Sequence, residues 1–181
     1  VDMVRDVVAM FSLKAEEKGL DFNVDVPEDL PAEFCGDEVR IKQIISNLLS
    51  NAIKYTERGS IGFIVDWKRE SERTAVVSVT VKDSGIGIRK EDMQRLFQSF
   101  QRVDESTNVG IEGTGLGLSI SHQLVEMMGG KITVDSIYQK GSIFTIQIEQ
   151  GIVDQNPMGQ MDFMTRGSLQ RRKKYKQIFE A

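Results

Sequence analysis

Residues 37–56 read Asp-Glu-Val-Arg-Ile-Lys-Gln-Ile-Ile-Ser-Asn-Leu-Leu-Ser-Asn-Ala-Ile-Lys-Tyr-Thr, and this pattern leaves the backbone few options. It predicts one amphipathic helix. Asp37 follows Gly36 and suits the N-cap, and Glu38 suits the first turn. Ile41, Ile44, Ile45, Leu48, Ala52 and Tyr55 recur at helical spacing and form an apolar stripe. Asn47, Asn51 and Lys54 stack beside it on a second face. Two asparagines in mid-helix cost stability, because the carboxamide competes for backbone hydrogen bonds. Such a cost points to a use. A carboxamide oxygen is a hard neutral ligand, suited to Mg²⁺ that keeps most of its waters and phosphates. A lysine one turn on reaches phosphate as a point charge. On this helix alone, two asparagines at its solvent margin are the simpler explanation.

The remainder of the chain must bury that apolar stripe. With 181 residues it is long enough for one ordinary domain and an appendage. The net charge of −4 is uneven, because residues 151–181 carry six Lys/Arg against three Asp/Glu. The first 150 residues are therefore acidic, which argues against general nucleic-acid binding. The one cysteine, Cys35, cannot form an internal disulfide and suits a reducing compartment. No apolar run approaches a membrane span, and no signal-peptide pattern is present. The chain opens at Val1 within a helical pattern, as expected of an excised fragment.

Residues 1–18 predict a helix through Val1, Val4, Val8, Phe11 and Ala15, with Gly19 as C-cap. Strands are predicted over 20–26, 61–67, 75–83, 131–136 and 142–148, and 27–36 reads as a loop. A charged hairpin connection covers 68–73, and a short helix covers 89–98. Helix 116–128 is expected to bury Leu116, Ile120, Leu124 and Met127 or Met128. The chain divides into a domain at 1–150 and a poorly ordered tail or linker at 151–181.

Val77, Val79 and Val81 share one strand face, and Asp83 continues it at the strand's end. Ser84-Gly85-Ile86-Gly87-Ile88 follows. A carboxylate at the core's lip, next to bare backbone, can accept a hydrogen bond from the amine of a planar base. The competing explanation is a plain strand-to-helix turn with a solvated acid. Residues 102–113 form a long patternless connection, expected to be a lid disordered without ligand. It ends in Gly113-Thr114-Gly115-Leu116-Gly117-Leu118 at a helix start, where open N–H groups and the helix dipole favour polyphosphate. That string lacks the Gly-Lys-Ser/Thr ending of Walker A and does not follow a strand as a Rossmann loop should.

Taken in order, these features resemble the ATP-binding catalytic domain of sensor histidine kinases, within the ATPase superfamily shared with gyrase and MutL. They are Asn-x-x-x-Asn-x-x-Lys-Tyr, Asp-x-Gly-x-Gly, Phe-x-x-Phe at Phe97 and Phe100, the glycine string, and Lys-Gly-Ser before a strand. The resemblance covers about residues 1–149. It implies an α/β two-layer sandwich, with a mixed sheet of about five strands, three main helices on one face and a flexible ATP lid. Asn51 is implied as the Mg²⁺ ligand and Lys54 as a phosphate contact. Tyr55 would line the pocket, and Asp83 would accept the adenine amine beside Gly85, Gly87 and Ile88. Phe97 and Phe100 would anchor the lid, and Arg102 would reach the terminal phosphate. Gly113, Thr114, Gly115, Leu116, Gly117 and Leu118 would wrap the phosphates, with Ser142 at the adenine end. Asn47 occupies the place of a glutamate base in other branches. An amide cannot take a proton, so Asn47 favours a kinase over a water-activating ATPase.

The family phosphorylates a histidine on a separate dimerisation domain. The one histidine here, His122, lies on the helix after the glycine string with no acid following it, and is expected to be a half-buried helix residue. The fragment is therefore expected to bind ATP and Mg²⁺ without phosphorylating itself. Arg89 departs from the proline common at that position in relatives. The implied partners are the phosphoacceptor histidine domain of the same parent and a response regulator or receiver domain. The basic tail resembles linkers that lead to a receiver in hybrid kinases. The parent is expected to be a homodimer with this domain in the cytosol, membrane-anchored or not, and the fragment a monomer. Rival readings are a superfamily ATPase, a serine-directed kinase and a nucleotide sensor without transfer chemistry.

Overall fold

The computed structural model describes residues 2–101 and 115–159, without the side chains of 97–101 and 115–117. Among these residues there are four helices and one six-stranded mixed sheet. The order is α1 (Asp2–Glu17), β1 (Asp21–Asp25), β2 (Pro31–Cys35), α2 (Glu38–Lys54), β3 (Ser60–Arg69) and β4 (Thr74–Asp83). Then come α3 (Lys90–Gln101), α4 (Gly115–Met127), β5 (Lys131–Ile137) and β6 (Gly141–Pro157). The sheet runs β1-β3-β4-β6-β2, with β5 also on β6. Among the described strands only the β1–β3 pairing is parallel, which makes the sheet mixed.

Two corrections to the sequence reading belong together. Residues 31–35, expected as loop, form β2, and 151–157, expected as tail, extend β6. The two segments pair with each other, Phe34 opposite Ile152 and Cys35 opposite Gly151, with register shifts along the ladder. Pro31 opens its strand, where a missing N–H is tolerated. The tail from residue 160 onward, including its basic run, lies outside the described residues.

The core lies between helices and sheet. Val7, Val8, Phe11 and Ala15 of α1 join Ile44, Ile45, Leu48, Leu49 and Ala52 of α2. The sheet meets them with alternating residues, including Ile61, Phe63 and Val65 on β3, Val79 and Val81 on β4, and Phe144, Ile146 and Ile148 on β6. Burying these side chains is what holds the layers together, at about 1.5–3 kcal/mol for each large apolar residue. The apolar face expected for α4 is corrected in part, since Leu124 and Met128 do pack against the core. Leu118, Ser121 and Val125 are buried, whereas Ile120 and Met127 are exposed.

Candidate functional site

The site grows from the C-terminal ends of α2 and β4. The Asp37 carboxylate accepts from the Arg40 N–H at 3.1 Å and caps the start of α2. At the other end, Lys18 Nζ donates to the Ile53 and Lys54 carbonyls at 2.6 and 3.2 Å. A cation on the last carbonyls complements the helix dipole and satisfies acceptors that have no partner within the helix. The chain then enters Tyr55 and Thr56, which lie over the end of β4.

Asp83 ends β4 on the buried face and is only 8% exposed. Its strand partners are Ile61 of β3 and Ser142 of β6. Burial raises its carboxyl above the ordinary value of 3.8, while backbone N–H groups of Gly85 and Ser142 act the other way. The Gly85 N–H donates to Asp83 Oδ1 at 2.9 Å. Gly85 is required by close approach: a Cβ there would meet the Tyr55 carbonyl, Thr56 Oγ1 and Asp83 Oδ1. Thr56 Oγ1 is buried without a hydrogen-bond partner among the described residues. Gly87 has φ +66°, and a Cβ there would meet the Ile137 carbonyl of β5.

A cavity of about 330 Å³ opens above this floor. Asn51 and Ala52 of α2 and its C-cap Tyr55 form one wall, and Ser142 and Phe144 of β6 another. Ile86, Gly87, Ile88 and Arg89 follow from the loop, and Asp92, Arg95 and Leu96 from α3. Leu118 of α4 and Tyr138 of the β5–β6 turn complete the lining. Of the site residues expected from sequence, Asn51, Tyr55, Asp83, Gly87, Ile88, Leu118 and Ser142 thus meet around one space, with Gly85 behind the floor.

Asn47 and Lys54 are placed differently. Asn47 Nδ2 donates to Ser121 Oγ of α4 at 3.3 Å and stays outside the lining. Lys54 is exposed, its Nζ 5.4 Å from the Tyr55 ring centroid, and is also outside the lining. Arg102, Gly113 and Thr114, and the side chains of Phe100 and Leu116, lie outside the described residues, as does the lid expected at 103–113. His122 is half-buried on α4, with Nε2 3.5 Å from Glu126 Oε1. The sequence reading missed Tyr138, Arg95 and Asp92 and treated Arg89 as a departure only. An aromatic in a hairpin turn between two strands was the one signal for Tyr138.

The donor set can be tested against the implied cation. Among the described residues no three His, Cys, Asp or Glu side chains gather into a metal cluster. Asn51 is the one carboxamide among the residues lining the cavity. One such ligand fits a Mg²⁺ ion that retains waters and phosphate oxygens.

The comparisons agree with this architecture. Residues 36–152 match the family described as histidine kinase-, DNA gyrase B- and HSP90-like ATPase. The signal transduction histidine-protein kinase BarA of Escherichia coli is 40% identical over 152 residues, 84% of this chain and 16% of BarA. Hybrid signal transduction histidine kinase B of Dictyostelium discoideum is 40% identical over 83% of the chain and 8% of its own length. The chain thus spans a small part of these relatives. The catalytic domain of histidine kinase ThkA, in nucleotide-free form, superposes with a TM-score of 0.60 at 32% identity, over 82% of this chain and 92% of that one. Full-length ShkA in complex with AMPPNP gives 0.67 at 29% identity, over 84% and 30%. This chain belongs to the histidine kinase-, DNA gyrase B- and HSP90-like ATPase family, as a domain of the kind found in sensor histidine kinases.

Proposed function

We propose that this domain binds ATP with Mg²⁺ and presents the γ-phosphate to a histidine on a separate dimerisation domain of its parent. The observation that carries the reading is the buried Asp83 carboxylate at the floor of a cavity walled by Asn51 and Tyr55. A carboxylate there accepts a hydrogen bond from the exocyclic amine of adenine, and Gly85 and Gly87 keep the backbone bare beside the ring. Ser142, opposite Asp83 in the register, offers a hydroxyl at the same end. Tyr55 lines the base. Asn51 faces the same space and serves as the Mg²⁺ ligand. Bound there, Mg²⁺ would neutralise phosphate charge.

Lys54 and Arg102 meet the phosphates, and Phe100 anchors the lid. The glycine string, Gly113 to Leu118, wraps the phosphates with N–H groups at the start of α4. Asn47 holds α4 to α2 through Ser121 and, as an amide, activates no water. Transfer chemistry of this kind rests on positioning and charge neutralisation. The acid–base group and the acceptor then come from the partner domain, and a receiver or response regulator takes the phosphoryl group onward. The AMPPNP bound by full-length ShkA, a protein of the same fold, supports the choice of adenine nucleotide. Among the described residues no helix is long and apolar enough to cross a membrane.

Calorimetric titration of ATP, with and without Mg²⁺, tests the pocket. Wild type binds, Asp83→Asn binds far more weakly, and Asn51→Ala loses only the Mg²⁺ dependence. Mixing with a separately made phosphoacceptor domain then yields phosphohistidine. Free phosphate instead of phosphohistidine would identify a hydrolase.

A further inference from the structure

The hairpin turn between β5 and β6 is fastened to the loop after Asp83. The Gln139 N–H donates to the Ile86 carbonyl at 2.6 Å, and the Ile88 N–H donates to Ser136 Oγ at 2.8 Å. Gln139 holds φ 65° to reach this position, the one non-glycine among the described residues with a positive φ. A residue with a side chain adopts that conformation at a cost, and the two anchoring hydrogen bonds offset it. The turn and the loop therefore have a fixed separation at the cavity's mouth.

Across that fixed gap one pair of side chains is exposed rather than packed. Arg89 Nη2 donates to Tyr138 Oη at 3.0 Å, and its guanidinium carbon lies 4.8 Å from the Tyr138 ring centroid. Among the described residues no carboxylate ion-pairs with Arg89, while neighbouring Asp92 is taken by Arg95. Both Arg89 and Tyr138 line the cavity floored by Asp83. A guanidinium presents a flat, weakly hydrated cationic face, which stacks on π-systems as an ammonium cannot.

On the adenine-pocket reading, on which this inference rests, we infer that Arg89 and Tyr138 form a clamp that stacks on the purine at the mouth. Arg89 is thus a further positioning and specificity residue, and Tyr138 orients it. It acts on the base and not on the phosphates.

The test is titration of adenosine, ADP and ATP into the whole chain at low and high salt, for wild type, Arg89→Ala, Arg89→Lys and Tyr138→Phe. Arg89→Ala should weaken all three ligands by a common factor, roughly fivefold to tenfold, with little change in salt dependence. Arg89→Lys should fail to restore affinity, since it keeps charge and loses the plane. Tyr138→Phe should give a smaller, equally uniform loss. Thermal melts of the variants should match wild type, because both side chains are exposed. A loss that grows with phosphate count and fades in salt would overturn the clamp in favour of a phosphate contact. Wild-type binding with undiminished affinity in Arg89→Ala overturns the clamp alone. Absence of wild-type binding overturns the pocket reading and the clamp with it.

Discussion

Asp83 serves two demands that oppose each other. Its position at the cavity floor suits an adenine amine, yet burial raises its pKa, so the folded chain holds that proton more tightly than the unfolded chain. The group's contribution to stability is therefore complete below the ordinary carboxylate range and is lost as pH rises through the raised folded value. At neutral pH the ionised side chain is a cost. Asp83→Asn should leave the Tm of the ligand-free chain unchanged or raise it, while ATP affinity falls by roughly tenfold to a hundredfold. Calorimetry beside a melting curve separates the two effects. ATP affinity of the wild type should decline as the solution is acidified through the raised value, because a protonated carboxyl is a poorer acceptor. Gly85→Ala acts at the same spot by sterics. Its Cβ meets a backbone carbonyl, which cannot rotate away as a side chain can. The expected cost is about 1–3 kcal/mol, read from urea denaturation, with loss of ATP binding.

At the scale of elements, the site depends on how α2 is held at both ends. Asp37 caps its start and Lys18 its finish, so Tyr55 and Thr56 arrive over the loop after β4 at a set height. Asn47 performs the sideways task by linking α2 to α4 through Ser121. Asn47→Ala leaves the buried Ser121 hydroxyl without that donor and should cost about 1 kcal/mol. If Asn47 serves chiefly as this tie, adenosine affinity should change little in the variant. A large loss of adenosine binding with unchanged stability would place Asn47 at the ligand instead. The Gly-x-Gly loop and the β5–β6 turn form a second unit, fastened by Ser136, whose hydroxyl accepts from the Ile88 N–H and lies 2.8 Å from Ser142 Oγ.

Across the whole molecule, the last strand is what joins the parts. β6 pairs with β4 along one edge, and with β5 and then β2 along the other. Its far end returns past residue 150 to close the edge beside β2, and the Met158 N–H donates to the Leu30 carbonyl at 2.8 Å. A chain ending at Gln150 should therefore leave β2 without its partner and lose about 2 kcal/mol, or roughly 4–8 °C in Tm. A chain ending at Gly159 keeps β2 paired and is the reference for that loss. Thermal melts of the two truncations decide it. Equal stability of the shorter form would show that β2 contributes little.

Much of this protein was legible because its signals are local. A cap, a helical stripe and a valine alternation ending in Asp83 each act within a few residues, so α1, α2, β3 and β4 follow from pattern alone. The order of motifs implied a common pocket, and Asn51, Tyr55, Asp83 and Ser142 do meet around one cavity. Three features had no local signal. β2 and residues 151–157 are too short and irregular to be strands alone, and become so only by pairing with each other. The inward face of α4 was misjudged because apolar residues lie nearly all around that helix, so periodicity could not choose a side. Packing against α2 chose it, turning Ser121 in toward Asn47 and leaving Ile120 and Met127 exposed. Arg89 and Tyr138 are far apart in the chain, and only the hydrogen bonds of a strained turn bring them together. Sequence determined the elements and the chemistry each could offer, because propensity and capping are near-neighbour effects. Tertiary structure alone decided which of those side chains share a cavity, because burial and strand pairing act between segments that are distant along the chain.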